Sequence, residues 1–433
     1  MRDLALVAIV LLAGLVALRR PWVGVMLWTW LSIMNPHRYT YGFAYTAPLA
    51  AFAAGCTLLG LAFTRDKSSP FKGAPTVWLA LLMVWMSISW LGGLDPTEDY
   101  EQWSKVMKID LMVLVSLALL HSKKHIIALV MVSAGSVALL GVKGGIYTAT
   151  TGGGGRVWGP PGSFIADNNE FALAVVMTIP LLRFLQLQLE SGWKRHAMTL
   201  AMLLCAASAL GSQSRGALLA LSAMALFLWL RSKKKVLGGL FIVIAAAGLV
   251  TFMPDSWSDR MDTIKTYESD DSAVGRLDAW RAAWGLAKNY PLGVGFNPNR
   301  QELFDSYSGG AKARAAHSVY FQVLGNHGFI GLFLFLALFI STYVMAGRLK
   351  RLAADSPQTR WCADLGAMCQ VALIAYFVGG AFLSLAYFDL PYNVMVVVVL
   401  ARLWLKRQAW QTEPALPGNW KAWLGFGPAV RMP

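Results

Sequence analysis

Residues 318–347 read SVYFQVLGNHGFIGLFLFLALFISTYVMAG, a run without a single Lys, Arg, Asp or Glu. As a helix rising about 1.5 Å per residue, it is long enough to cross a hydrocarbon core about 30 Å thick. The chain enters it from a polar stretch, 254–316, that carries Arg276, Arg281, Arg300, Arg314 and His317. Comparable apolar runs recur at 3–18, 21–35, 44–64, 76–94, 106–121, 125–147, 170–188, 195–211, 216–231, 236–253, 363–387 and 392–405. This pattern predicts an all-α polytopic membrane protein with twelve or thirteen transmembrane helices. The first two runs are short, and form either a tight pair that crosses incompletely or a pair with one member in the interface.

Composition agrees. Of 433 residues, 56% are hydrophobic and 14% charged, against about 25% charged in an ordinary soluble domain. Eighteen Trp and 13 Tyr suit rings held at headgroup depth, and 40 Gly suit helices in close approach. The net charge of +15 does not point to nucleic acid, because Lys and Arg gather in short connections between apolar runs rather than on one polar face. Cys56, Cys205, Cys362 and Cys369 have no metal-ligand spacing and read as small buried hydrophobes. No cleavable leader is read at the N-terminus: Arg2 is offset by Asp3, and Arg19-Arg20 stands where small residues would be needed.

If the runs alternate, Arg65-Asp66-Lys67, Lys123-Lys124, Lys194-Arg195, residues 231–235, residues 348–351 and Lys406-Arg407 share one side. The positive-inside rule makes that side cytoplasmic. The opposite, periplasmic side of a bacterial inner membrane then receives 36–43, 95–105, 147–169, 211–215, 387–392 and the 254–316 loop. Four segments follow: a membrane bundle at 1–253, the periplasmic loop at 254–316 with short amphipathic helices, further membrane helices at 317–410, and a cytoplasmic tail at 411–433.

The periplasmic side gathers the chemistry. Gly152 to Gly155 precede Arg156, and Asp167-Asn168-Asn169-Glu170 stand at the mouth of the next span. A glycine run beside Arg either cradles a phosphate or makes a flexible turn, and the absence of a following Lys-Ser/Thr speaks against a nucleotide loop. Arg215 closes an apolar span on the side the topology rule keeps poor in cations, and a charge there usually serves a partner. Residues 273–290 read as a helix with Leu277, Trp280, Trp284 and Ala287 at helical spacing. Arg276 and Trp280, four apart, share a face, so Arg276 either meets a lipid phosphate or snorkels. Of six histidines, His121, His125 and His196 fall on the cytoplasmic side, and His327 lies inside a span as a packing or hydrogen-bonding residue. His37 and His317 remain; a neutral imidazole takes a proton near pH 7. Glu268, Asp270 and Asp271 read as acids favouring a helix N-terminus rather than as a metal site.

The ordered set Arg276, Trp280, Pro291, Gly293, Gly295, His317, Tyr320, Gly325 and Gly328 resembles the signature of the O-antigen ligase and polymerase superfamily. The likeness covers 156–331, with Ser318 standing where many relatives have Asn. More narrowly, the chain resembles ligases that join a surface polymer to lipid A core. Residues 20–38 resemble relatives described as O-glycosylation ligases, which leaves the acceptor open.

The resemblance implies an inverting, metal-independent membrane glycosyltransferase of GT-C type that needs no cofactor. Its partners would be an undecaprenyl-diphosphate-linked O-antigen as donor, lipid A core as acceptor, and the bilayer. It implies His317 as general base, Arg215 and Arg276 on the donor diphosphate with Arg156 and Arg314 as further cations, and Trp280, Tyr320 and Asn169 in support. A polymerase or a protein O-oligosaccharyltransferase would use similar motifs. A lipid-linked sugar flippase belongs to another class, and would line its midplane with charge.

Overall fold

The computed structural model describes residues 1–189, 192–231, 234–252, 271–308, 312–353 and 356–413. Among them every regular element is helical. In chain order these are α1 (Arg2–Arg19), α2 (Pro21–Met34), α3 (Leu49–Phe63), α4 (Ala74–Leu91), α5 (Pro96–Leu119), α6 (Lys123–Thr150), α7 (Asn168–Leu187), α8 (Trp193–Gly211), α9 (Arg215–Arg231), α10 (Lys235–Phe252), α11 (Asp271–Asn289), α12 (Gln301–Ser308), α13 (Val319–Leu352), α14 (Arg360–Gly380) and α15 (Asp389–Lys406). Each apolar run folds as a helix, and α11 and α12 occupy the polar stretch.

Helices α4, α6, α7, α13 and α14 are long and apolar enough to cross a membrane, and α2 and α3 are shorter apolar helices. The chain is a multi-pass helical membrane protein. The twelve or thirteen crossings expected from hydropathy exceed these five. The run at 106–121 is only the second half of α5, whose first half carries Glu98, Asp99, Glu101 and Lys105, and α9 is 17 residues long between Arg215 and Arg231.

Helix starts follow local chemistry. Asp95 caps α5, its carboxylate accepting from the N–H groups of Thr97 and Glu98, with Pro96 in the first helical position. Ser122 caps α6, Asp167 caps α7 and Ser318 caps α13. The departure at Ser318 thus has a structural use, because its hydroxyl accepts from Phe321 N–H.

At the centre lies α15, buried without interruption from Asp389 to Ala401. Its run from Val394 to Val399 would be a weak helix former alone, but a helix apolar all round is stabilised by burial on every side. It packs on α2, α5, α6, α13 and α14. Where α6 meets α8, Gly144 and Gly145 lie directly against Ser208 and Leu204, so a side chain at Gly145 would run into the Leu204 carbonyl. Small residues at one face let two backbones approach this closely. All four cysteines are buried and free.

Helix α13 is broken near its start. Gly328 has φ +67°, and two helices meet there. The carbonyls this releases find other donors: Asn326 O accepts from Ser89 Oγ and from the N–H groups of Val294 and Gly295, and His327 O accepts from Trp85 Nε1 at 2.8 Å. The His327 ring is fully buried between Ser89 Oγ (3.0 Å from Nδ1) and Tyr387 OH (2.9 Å from Nε2), as a hydrogen-bonding residue inside a helix. The carbonyls of Asn326 and His327 are thus both answered at the break.

The expected helix at 273–290 forms as α11, with Ala287 of its apolar row buried and Trp280 half-buried. Ala279, Ala282, Ala283, Leu286 and Ala287 are buried, whereas Leu277 and Trp284 are exposed. The cause is proximity to α13: a Cβ at Gly325 would lie 3.2 Å from Ala283 Cβ, a spacing only small side chains permit. Leu277 and Trp284 point outward, Trp284 meeting Phe329 edge-on.

Candidate active site

His317 stands immediately before the cap of α13, with φ +43°, a left-handed conformation uncommon outside glycine. The preceding backbone is clamped, because Trp280 Nε1 donates to Ala316 O at 2.8 Å while the indole stacks on Phe321 at 4.8 Å. The His317 side chain is 37% exposed, and its Nδ1 lies 3.8 Å from Glu170 Oε1. That separation exceeds a hydrogen bond and becomes an ion pair when the ring is protonated. Glu170 is otherwise buried and accepts from Ser384 N–H at 3.3 Å.

Glu170 belongs to the first turn of α7, whose cap Asp167 accepts from both the N–H and the side-chain amide of Asn169, at 2.9 and 2.8 Å. Burial disfavours the Asp167 carboxylate. The Asn169 N–H, a hydrogen bond with the Glu170 carboxyl, the Asn169 amide and the nearby His317 outweigh it, and together hold Asp167 below the usual carboxylate range. Asn169, expected to support the site, is held by Asp167 in the α7 cap.

The cap turn abuts the turn before α9. Asn168 Nδ2 donates to Ser212 O at 2.6 Å, and Val157 N–H donates to Gly211 O at 3.3 Å. Arg156 Nε donates to Gln213 Oε1 at 3.2 Å, two residues before Arg215. Arg215 is the first residue of α9 rather than the close of α8, which ends at Gly211, so it emerges at a helix N-terminus. In the glycine run Gly152 takes φ +60° and Gly153 N–H donates to Thr148 O, which closes the C-terminus of α6.

On the loop, Arg314 lies against Gly275, its guanidinium beside the residue that precedes Arg276. Arg281 and Arg300 are engaged with acids. Arg281 pairs with Asp278 at 3.0 Å; Arg300 pairs with Glu98 at 3.0 Å and Asp99 at 3.7 Å, pinning the 291–300 segment to α5. Burial raises the Asp99 pKa, against the lowering effect of Phe296 N–H and Arg300. Tyr320 OH donates to Phe377 O at 2.7 Å, tying the first turn of α13 to α14. His37 sits in a short 3-10 turn, its pKa lowered by burial and by Arg38. Arg38 itself reaches Gly162 in the segment between Arg156 and Asp167. Among the described residues no group of three His, Cys, Asp or Glu is placed to hold a metal. Glu268 and Asp270 lie outside the described residues, and α11 begins at Asp271, so that acid opens the helix.

Three stretches far apart in sequence therefore meet: 156–170, 211–215 and 314–320, with α11 clamped to the last through Trp280. Sequence reading missed Glu170 as a partner of His317, because an acid in the first turn of an apolar helix already has a local explanation.

Residues 200–336 match a family model described as O-antigen ligase. Residues 1–190 match a second, described as a family of unknown function. No curated protein matches the chain. The first match spans Arg215, Arg276, Trp280, Arg314, His317 and Tyr320; Arg156, Asn169 and Glu170 fall in the second.

Proposed function

We propose that this multi-pass membrane protein, whose residues 200–336 match the O-antigen ligase family, completes lipopolysaccharide by glycan transfer. The donor is a glycan on undecaprenyl diphosphate, and the acceptor is a sugar hydroxyl of lipid A core. The reaction takes place on the periplasmic face of the bacterial inner membrane. With His317 Nδ1 facing Glu170, Nε2 takes the proton of the acceptor hydroxyl as that oxygen attacks the anomeric carbon. The new C–O bond forms opposite the breaking bond to phosphate, so the configuration inverts, and undecaprenyl diphosphate leaves with the bonding pair. Arg215 and Arg276, with Arg156 and Arg314 beside them, stabilise that leaving group through charge-assisted hydrogen bonds. Diphosphate departs readily when its charge is so met, and the scheme uses neither nucleotide nor metal.

The observation that carries this reading is the contact between the His317 segment and the α7 cap turn, which in turn packs on the turn that presents Arg215. The contact brings the His317 segment and the turn before Arg215 to the same helix cap, which supports transfer at a membrane surface rather than carriage through it.

The test is a purified reaction of the full chain with lipid-linked glycan and lipid A core, read as a mobility shift of the acceptor. Product on the core is the expected result. Elongated carrier lipid would replace the ligase with a polymerase, and an intact donor with no covalent product would favour transport.

A further inference from the structure

At the other end of α13 from His317, the end of α9, the end of α13 and the start of α14 surround a cavity of about 990 Å³. Four cations line it: Arg231, Lys350, Arg351 and Arg360. A single acid, Asp364, shares the lining and lies within the fields of Arg360 and Arg183. The balance, four cations against one carboxylate, is three positive charges. The remaining wall has an apolar strip of Val344, Ala363 and Ala367 along α13 and α14, while Gly347 is covered by the Gln370 amide.

A bias of loop charges toward one face brings cations to this end of the bundle. It does not require cations from three helices to line one hollow, nor the hollow to have an apolar wall. Arg231 is also held in place: its Nη1 donates to Gln370 Oε1 at 2.9 Å, and its guanidinium lies 4.1 Å from the Phe227 ring centroid. Gln370 in turn donates to Tyr343 O at 3.1 Å, fixing the fork against α13. A preorganised guanidinium beside further cations matches a phosphate, and an apolar strip alongside matches an acyl chain.

We propose that this cavity holds an anionic phospholipid from the adjoining leaflet, its phosphodiester among Arg231, Lys350, Arg351 and Arg360 and one chain along Val344, Ala363 and Ala367. The site joins the far ends of α9 and α13, whose opposite ends carry Arg215 and His317. It is independent of the reaction proposed above.

The test uses the full chain in neutral detergent, mixed with equal amounts of phosphatidylglycerol and phosphatidylcholine of the same acyl composition. Retained lipid is read by native mass spectrometry and the thermal midpoint is measured with each lipid alone. Phosphatidylglycerol should be retained in preference and should raise the midpoint. Arg231→Gln with Arg360→Gln should weaken its retention about 30-fold, the loss of two surface cations near a lipid charge. Arg19→Gln with Arg65→Gln, which removes two exposed charges elsewhere, should retain it as the parent does. Ala367→Leu keeps every charge while crowding the apolar strip, so reduced retention there supports the site even if the arginine variant fails to fold. Equal retention of both lipids, equal loss in the Arg19/Arg65 control, or unchanged retention in Ala367→Leu would overturn the proposal. So would inorganic phosphate raising the midpoint as far as phosphatidylglycerol does, which would mark a site for a soluble anion.

Discussion

His317 occupies a left-handed backbone conformation, so the usual alanine substitution tests two things together. Alanine removes the imidazole and adds a strain of about 1–2 kcal/mol, whereas asparagine enters that region more readily. His317→Asn should therefore leave the thermal midpoint near that of the parent while lowering turnover about 10²–10⁴-fold, the usual contribution of a positioned base. Parental turnover in a folded Asn variant would remove the base assignment. Glu170→Gln keeps the size of the side chain and its hydrogen bond from Ser384, but removes the charge facing His317 Nδ1. Its expected signature is a kcat roughly 10–100-fold lower with the acidic limb of the pH–rate profile displaced to lower pH and KM little changed. An unaltered profile would make Glu170 a structural residue of the α7 cap. Neither role can be read from the sequence around position 170, where an acid near a helix start has reason enough to be present. The pairing arises only when α13 is folded against α7.

At the scale of elements, helix positions were legible and their faces less so. Every apolar run became a helix because apolar length and capping residues are local properties, as at Asp95-Pro96 and Ser122. The buried face of α11 was only partly legible, since its choice of alanines over Leu277 and Trp284 depends on how near α13 comes. The break at Gly328 was equally hidden: the donors that answer Asn326 O come from Ser89, Val294 and Gly295. Gly293, at φ +87°, sits inside that junction, and a Cβ there would lie 2.4 Å from Ser89 Oγ and 2.5 Å from Asn326 O. Gly293→Ala should therefore destabilise by about 2–4 kcal/mol from strain and overlap, seen as a lower thermal midpoint. The α7 cap gives a pH dependence with a definite sign. Since the folded state holds Asp167 below its ordinary range, the stabilisation it gives is present above about pH 4 and is lost as pH falls through the lowered value. Asparagine also caps helices. The midpoint difference between the parent and Asp167→Asn should thus shrink on acidification below about pH 4; a difference that stayed constant would mean Asp167 has no depressed pKa.

On the whole-molecule scale, the region that matches the O-antigen ligase family does not contain every residue of the proposed site. Residues 200–336 supply His317, Arg215 and Arg276, while Glu170 and Arg156 come from the region matched separately. Co-expression makes this testable: residues 192–433 alone should give no transfer in membranes, and addition of residues 1–189 as a second chain should restore it if the two parts reassemble. Transfer by the shorter piece alone would show that the α7 turn is dispensable. Membrane class and the identity of the basic residues were open to sequence reading because hydropathy and residue type are additive along a chain. The meeting of 156–170 with 314–320 was not, because it depends on α7, α13 and α14 packing together. Broken at Gly328, α13 has a short limb of about ten residues fastened to the loop and a limb of roughly 24 residues, about 36 Å long, fastened to the bundle. A spin label at Phe321 and another at Phe333 thus sit on different rods. The distance between them offers a ruler for any rocking of the short rod that a single unbroken helix would have transmitted rigidly to the far side of the membrane.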